Sequence, residues 1–169
     1  PPPPPSPPSP PPSPPPLFLT SLVEYATQPK LYASDAAVHD WFGYSVSLYG
    51  DTALIGAVYD DDNSKSGSGS VYVFTRSSTD DGTFTQQSKL HANDPAATDY
   101  FGGSVSLYGD TALIGAHGDD DNSKTQSGSV YVFTRSSTDA GTFTQQSKLH
   151  ASDPAASDYF GGSVSLYGD

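Results

Sequence analysis

The chain has 169 residues, a net charge of −12, a pI near 4.3, and neither cysteine nor methionine. That charge opposes nucleic acid as a partner, and the lack of cysteine excludes disulfides and thiolate metal sites. No residue 1 methionine is present, which predicts a processed product or a portion of a longer chain. The apolar run from Leu17 to Val23 is far too short to span a bilayer.

Residues 1–16 are proline interrupted only by Ser6, Ser9 and Ser13. Almost without backbone donors and without apolar periodicity, such a segment joins neither helix nor sheet. It predicts a polyproline II arm, at about 3.1 Å per residue roughly 50 Å long. A stiff spacer and a ligand for an aromatic-lined groove are the two plain readings. The alternation of serine with short proline runs also resembles hydroxyproline-rich glycoproteins of plant and algal walls. That resemblance implies O-linked sugars on Pro2, Pro3, Pro4, Pro5, Ser6, Pro7, Pro8, Ser9, Pro10, Pro11, Pro12, Ser13, Pro14, Pro15 and Pro16.

Residues 17–29 form a transition rich in strand formers, read as a strand completing a blade. A tandem repeat then begins, with Lys30-Leu31, Lys89-Leu90 and Lys148-Leu149 spaced 59 residues apart. The units are 30–88, 89–147 and a partial third, 148–169; the first two agree at roughly four-fifths of their positions.

Each full unit carries four strand signals separated by turn chemistry. In the first unit these are Ser45–Tyr49, Thr52–Ala57, Ser70–Thr75 and Thr83–Leu90. Gly50-Asp51 between the first two predicts a tight hairpin. The middle strands are apolar on both faces, whereas the outer ones alternate with Ser, Thr and Gln. A sheet buried on both central faces needs neighbours on both sides, and a lone 59-residue unit is too small to supply them. The fold class is therefore all-β: four-stranded antiparallel blades, propeller-like or linearly stacked.

Phe42-Gly43, Phe101-Gly102 and Phe160-Gly161, each followed by Ser-Val-Ser-Leu, together with Gly56-Ala57 and Gly115-Ala116, resemble FG-GAP repeats. The resemblance implies a β-propeller of the integrin-α type, found in many secreted surface proteins. Two departures stand out. Val58 and His117 replace the proline of Gly-Ala-Pro, and the family's calcium loop between the first two strands is replaced by the short turns Gly50-Asp51 and Gly109-Asp110.

The sharpest candidate chemistry is the acidic loop Asp60, Asp61, Asp62, Asn63, repeated at Asp119, Asp120, Asp121, Asn122. Asp60, Asp62 and Asn63, with Asp119, Asp121 and Asn122, are candidate calcium ligands, since calcium takes hard oxygens from flexible loops. The alternative is a solvated acidic turn beside Lys65 and Lys124. Asp35 with Asp40, and Asp94 with Asp99, read as turn residues whose carboxylates accept backbone N–H groups. Histidines 39, 91, 117 and 150 form no zinc or acid–base pattern, and no serine sits in a nucleophile elbow. Trp41 aligns with Tyr100 and Tyr159 as an aromatic packing position.

These features predict a non-enzymatic, extracellular structural glycoprotein of a cell surface, wall or appendage filament, self-associating through its repeats, with no nucleic-acid partner and no membrane span. The competing expectation is a calcium-dependent adhesion propeller that binds protein or glycan.

Overall fold

The computed structural model describes residues 30–77, 82–136 and 141–168. The first sheet, blade A, contains β1 (Phe42–Tyr49), β2 (Thr52–Ala57), β3 (Ser70–Arg76) and β4 (Phe84–Leu90). Blade B repeats it as β5 (Phe101–Tyr108), β6 (Thr111–Ala116), β7 (Ser129–Arg135) and β8 (Phe143–Leu149). Both are antiparallel meanders in the order of the chain. The all-β reading and the four strands per unit hold, while the first strand begins at Phe42 rather than Ser45. Its extra residues arise from a bulge between Phe42 and Ser45, matched between Phe101 and Ser104. There Gly43 and Gly102 take φ of 92° and 85°, a conformation that suits residues without Cβ.

Tyr49 pairs with Thr52, so β1 and β2 are joined by the two-residue hairpin Gly50-Asp51, with Gly50 at φ 57°. Between β2 and β3 the chain makes a single 3-10 turn, Asp62–Ser64, repeated at Asp121–Ser123.

Alternation along the central strands builds two apolar layers. Leu54, Val71 and Val73 of blade A meet Phe101, Leu107, Ile114, Tyr131 and Phe133 of blade B in the main core. Ile55, Tyr72 and Phe74 point to the other side of blade A, where Ala33 and Leu31 cover part of them. Among the described residues, the need for neighbours on both faces is thus met in full between the blades.

The seam between the blades is close because glycine allows it. A Cβ on Gly56 would strike the Gly102 carbonyl, and one on Gly69 would strike the Phe101 backbone. The Phe-Gly of one unit therefore seats on glycines of the unit before it. Ser45 Oγ donates to Gly102 O at 2.6 Å, and Leu107 N–H donates to Ser47 Oγ at 3.0 Å. The third unit docks on blade B in the same way: Ser104 Oγ reaches Gly161 O at 2.8 Å, and Leu166 N–H reaches Ser106 Oγ at 2.9 Å. Residues 160–168 nonetheless form no ladder beyond the bridge Gly128 to Phe160. In blades A and B a first strand draws its ladder from the second strand of its own unit. The expectations for residues 1–16 and 17–29 lie outside the described residues.

Candidate functional site

Two constructions recur in each unit and place polar or aromatic chemistry at one end of the seam. The first is the acidic loop. Asp60 is buried, accepting a hydrogen bond from Ser70 Oγ at 2.6 Å, and Lys89 Nζ of β4 lies 2.8 Å from it. The same ammonium is 2.8 Å from Asp35 and 3.4 Å from Asp62. It also sits 5.3 Å from the centre of the Tyr72 ring. Blade B repeats the arrangement: Lys148 Nζ is 2.9 Å from Asp94, 2.9 Å from Asp119 and 3.7 Å from Asp121.

Of the candidate calcium ligands, Asp60 and Asp62 therefore converge on one point, as do Asp119 and Asp121, and a lysine ammonium stands at that point. Asn63 and Asn122 lie in the 3-10 turns, and their side chains are outside the described ones. Asp61 and Asp120 point elsewhere, accepting from Gly67 N–H and Gln126 N–H at 2.8 and 2.7 Å. Among the described residues no group of three acidic or histidine side chains is disposed to hold a metal ion.

The electrostatics follow from burial and pairing. For Lys89 and Lys148, burial alone would lower the pKa, but the hydrogen bonds they donate to the facing carboxylates raise it well above the usual lysine range. Burial likewise works against ionised Asp35 and Asp94, yet the lysine bonds prevail and hold both below the ordinary carboxylate value. Tyr72 and Tyr131 hydroxyls, buried and donating to Asp35 at 2.8 Å and Asp94 at 3.0 Å, are pushed upwards. Each lysine is thus a fixed cation inside its own carboxylate nest. This role was not legible in the sequence, because Lys89 lies 54 residues from Asp35 and opens the next unit.

The second construction is the turn before each first strand. Asp40, Asp99 and Asp158 accept from Ala37, Ala96 and Ala155 N–H at 2.6, 2.6 and 2.7 Å, the turn role expected for Asp40 and Asp99. Asp35 and Asp94 take the lysine and tyrosine instead. Flanking the turn aspartates, His39 and Trp41, Thr98 and Tyr100, and Ser157 and Tyr159 all have left-handed φ between 53° and 75°. Such φ is costly for side chains of this bulk. In blade B the seam helps to hold it: Thr98, Tyr100 and Phe101 N–H donate to the carbonyls of Ser66, Gly67 and Ser68 at 2.8 to 3.1 Å.

Left-handed backbone at 41, 100 and 159 turns the aromatic rings out of the seam. Trp41 meets Tyr59 edge to face at 4.7 Å, Tyr59 meets Tyr100 at 5.3 Å, and Tyr100 stacks on His117 at 5.2 Å. His117 in turn lies 6.2 Å from Tyr159. Burial holds the His117 imidazole below its ordinary pKa, so it is a neutral member of the stack near pH 7. Trp41, Tyr59 and Tyr100 line an open cleft of about 480 Å³ with Asp61 and Thr98. The sequence marked Trp41, Tyr100 and Tyr159 as one aromatic position; Tyr59 and His117 joined them only through the fold.

The FG-GAP repeat model matches residues 25–74, 84–133 and 143–169, more than half of the chain. The chain belongs to the FG-GAP repeat family. No curated protein matches it. The second FG-GAP match begins on β4 and ends on β7, so it straddles the seam: it contains the Phe-Gly of blade B and Lys89, whereas the carboxylates facing that lysine, Asp35, Asp60 and Asp62, fall in the first match. The two-residue hairpins between first and second strands leave these FG-GAP units without a loop at the place where the resemblance puts calcium.

Proposed function

We propose that this FG-GAP protein is a non-enzymatic extracellular structural component, a building block of a cell-surface, wall or appendage filament assembled by blade stacking. The observation carrying the proposal is the outer face of blade A. Tyr44, Val46 and Leu48 on β1 are exposed there, although their counterparts Val105 and Leu107 pack into the seam. The same sequence thus has a partner surface, the trailing face of a preceding blade; blade B's copy of that face receives the partial third unit, which a following chain would have to displace. Head-to-tail contact of that kind is heterologous and propagates unless the rotation closes a ring. FG-GAP repeats are typically extracellular, and among the described residues no helix is long and apolar enough to cross a membrane. In this reading the proline–serine arm is a rod, and hydroxylation with O-linked sugars on residues 2–16 would stiffen it.

Sedimentation and electron microscopy of the full chain test the proposal. Concentration-dependent linear oligomers that Leu48→Lys abolishes are the expected result. A monomer at every concentration, with Leu48→Lys indistinguishable from it, would overturn the stacking.

A further inference from the structure

The aromatic row crosses the seam at Tyr59 and Tyr100 but leaves an open cleft beside it, and its chemistry fits a ligand that the chain itself contains. We infer that the Trp41–Tyr59–Tyr100 cleft is a receptor for polyproline, and that its occupant is the proline–serine segment 1–16 of the same chain. Polyproline II segments are recognised by rows of aromatic rings that receive pyrrolidine faces, together with donors for backbone carbonyls that have no internal partner. The cleft offers both. Its three rings follow one another at 4.7 and 5.3 Å from Trp41 through Tyr59 to Tyr100. A row of about 10 Å accommodates roughly three residues of polyproline II, one turn, at 3.1 Å each. The indole N–H of Trp41 and the hydroxyls of Tyr59 and Tyr100 make no hydrogen bond among the described residues, so they are available to carbonyls.

Charge and reach favour this occupant. Segment 1–16 carries no charged side chain, so Asp61 at the cleft wall neither repels it nor need be neutralised. Residues 17–29 connect it to Lys30, a path of roughly 45–50 Å when extended. Lys30 and His39 are at most about 32 Å apart along the chain, so the tether reaches the cleft. A tether of this length also gives an effective concentration on the order of millimolar, enough for a weak groove to fill. The strained backbone is consistent with a ligand site: left-handed φ at His39, Trp41, Thr98 and Tyr100 presents the rings outwards, where they bury little in the fold. Sugars on the prolines would stand between ring and pyrrolidine, so docking belongs to the unmodified segment and glycosylation would release it.

Trp41 is the chain's single tryptophan, and its emission reports on the cleft directly. The experiment compares acrylamide quenching of Trp41 in the unglycosylated full chain with that of a chain whose prolines 1–16 are replaced by glycine and serine, at concentrations where both are monomeric. Quenching should rise by about twofold in the replaced chain, as a half-exposed indole loses the cover of one face. A peptide of sequence 1–16 added to the replaced chain should restore protection, and Tyr100→Ala should abolish that rescue. Because the replacement lies outside both sheets, the test stands even if Tyr100→Ala fails to fold. Equal quenching in the two chains would overturn the proposal. So would protection by neutral oligosaccharides but not by the peptide, or protection lost on dilution, which would assign the segment to a second copy. None of these readouts depends on head-to-tail stacking, so the two proposals fail separately.

Discussion

Leu48 and Leu107 stand at the same position of consecutive units, in the same strand, with the same neighbours in sequence. Leu48 is 64% exposed and Leu107 is 5% exposed. The difference is supplied entirely by blade A, which covers β5 as no described residue covers β1. A blade of this family is therefore half a core: its sequence prescribes two apolar faces, and how well each is buried depends on what lies beside it. Fully burying a leucine side chain is worth about 1.5–3 kcal/mol, so a neighbour contributes several kcal/mol through β1-type positions alone.

The largest expected effects test this contrast directly. Leu107→Ala should cost about 2–5 kcal/mol in urea unfolding, as for a core leucine leaving a cavity. Leu48→Ala should change stability by less than about 0.5 kcal/mol in dilute solution, as for a surface change. Equal losses would break the comparison, showing that the outer face of blade A is covered in solution. A Leu48→Ala loss growing with protein concentration would instead sharpen it, identifying a second copy as the cover.

Next in size is the lysine nest, present in both blades. Removing one partner of a buried ion pair leaves the other uncompensated, typically at 3–5 kcal/mol. With each lysine side chain about a fifth exposed, Lys89→Met and Lys148→Met should each cost about 2–3 kcal/mol after allowance for solvent screening. The sign with pH is fixed by the shifts. Lysines raised above their ordinary 10.5 stabilise fully below that pH and lose the contribution as pH climbs beyond it. Asp35 and Asp94, held below 3.8, stabilise above that pH and lose the contribution as pH falls further. A calcium chelator should leave the wild-type melting temperature unchanged. A fall on chelation would break the ammonium reading and restore calcium to Asp60, Asp62, Asp119 and Asp121.

A smaller effect separates the two arginines that end the third strands. Arg76 and Arg135 pair with Asp51 and Asp110 at 2.7 and 3.0 Å. Arg135 also donates to Thr52 Oγ1 of blade A at 2.6 Å, a bond across the seam. Arg135→Met should cost about 1.5–3 kcal/mol, as for a hydrogen bond to a charged group. Arg76→Met, exposed at its ion pair, should cost about 0–1 kcal/mol. Equal costs in a two-state denaturant titration would show that the seam bond contributes nothing.

Much of this architecture is legible before folding. The 59-residue spacing of Lys30, Lys89 and Lys148, the apolar β2 and β3 and the Gly50-Asp51 turn specify four-stranded blades that need neighbours. The start of β1 was misplaced because Phe42-Gly43 enters through a bulge, which breaks the alternation that marks a strand. The site was less legible. Asp60 and Asp62 were singled out by local density of charge, but their ammonium partner comes from a strand whose pairing with β3 is set by register. Tyr59 gave no signal, since Gly118 replaces it in the second unit and only the left-handed turn at Trp41 brings the two rings together.

Asp99 offers the finest test of the seam. It lies buried in the turn that blade B lays across the 66–68 loop of blade A. Burial pushes its pKa up to about 6; the Ala96 N–H bond partly offsets this and the nearby Asp119 charge adds to it. In the unfolded chain the group titrates near 3.8, so between those values the folded chain holds a proton that the unfolded chain has released. Stability from this residue must then fall as pH rises from about 4 to 6 and stay level above. The window lies above the one in which Asp35 and Asp94 act, so the opposing slopes do not overlap. A kcal/mol of that slope corresponds to roughly 2–8 °C for domains of this size range. Asp99→Asn keeps an oxygen to accept the Ala96 N–H but cannot ionise. Its melting temperature, measured from pH 4 to 6.5, should lack the downward component that wild type shows. If both curves are parallel across that range, the turn is open to water and the two blades do not close over it.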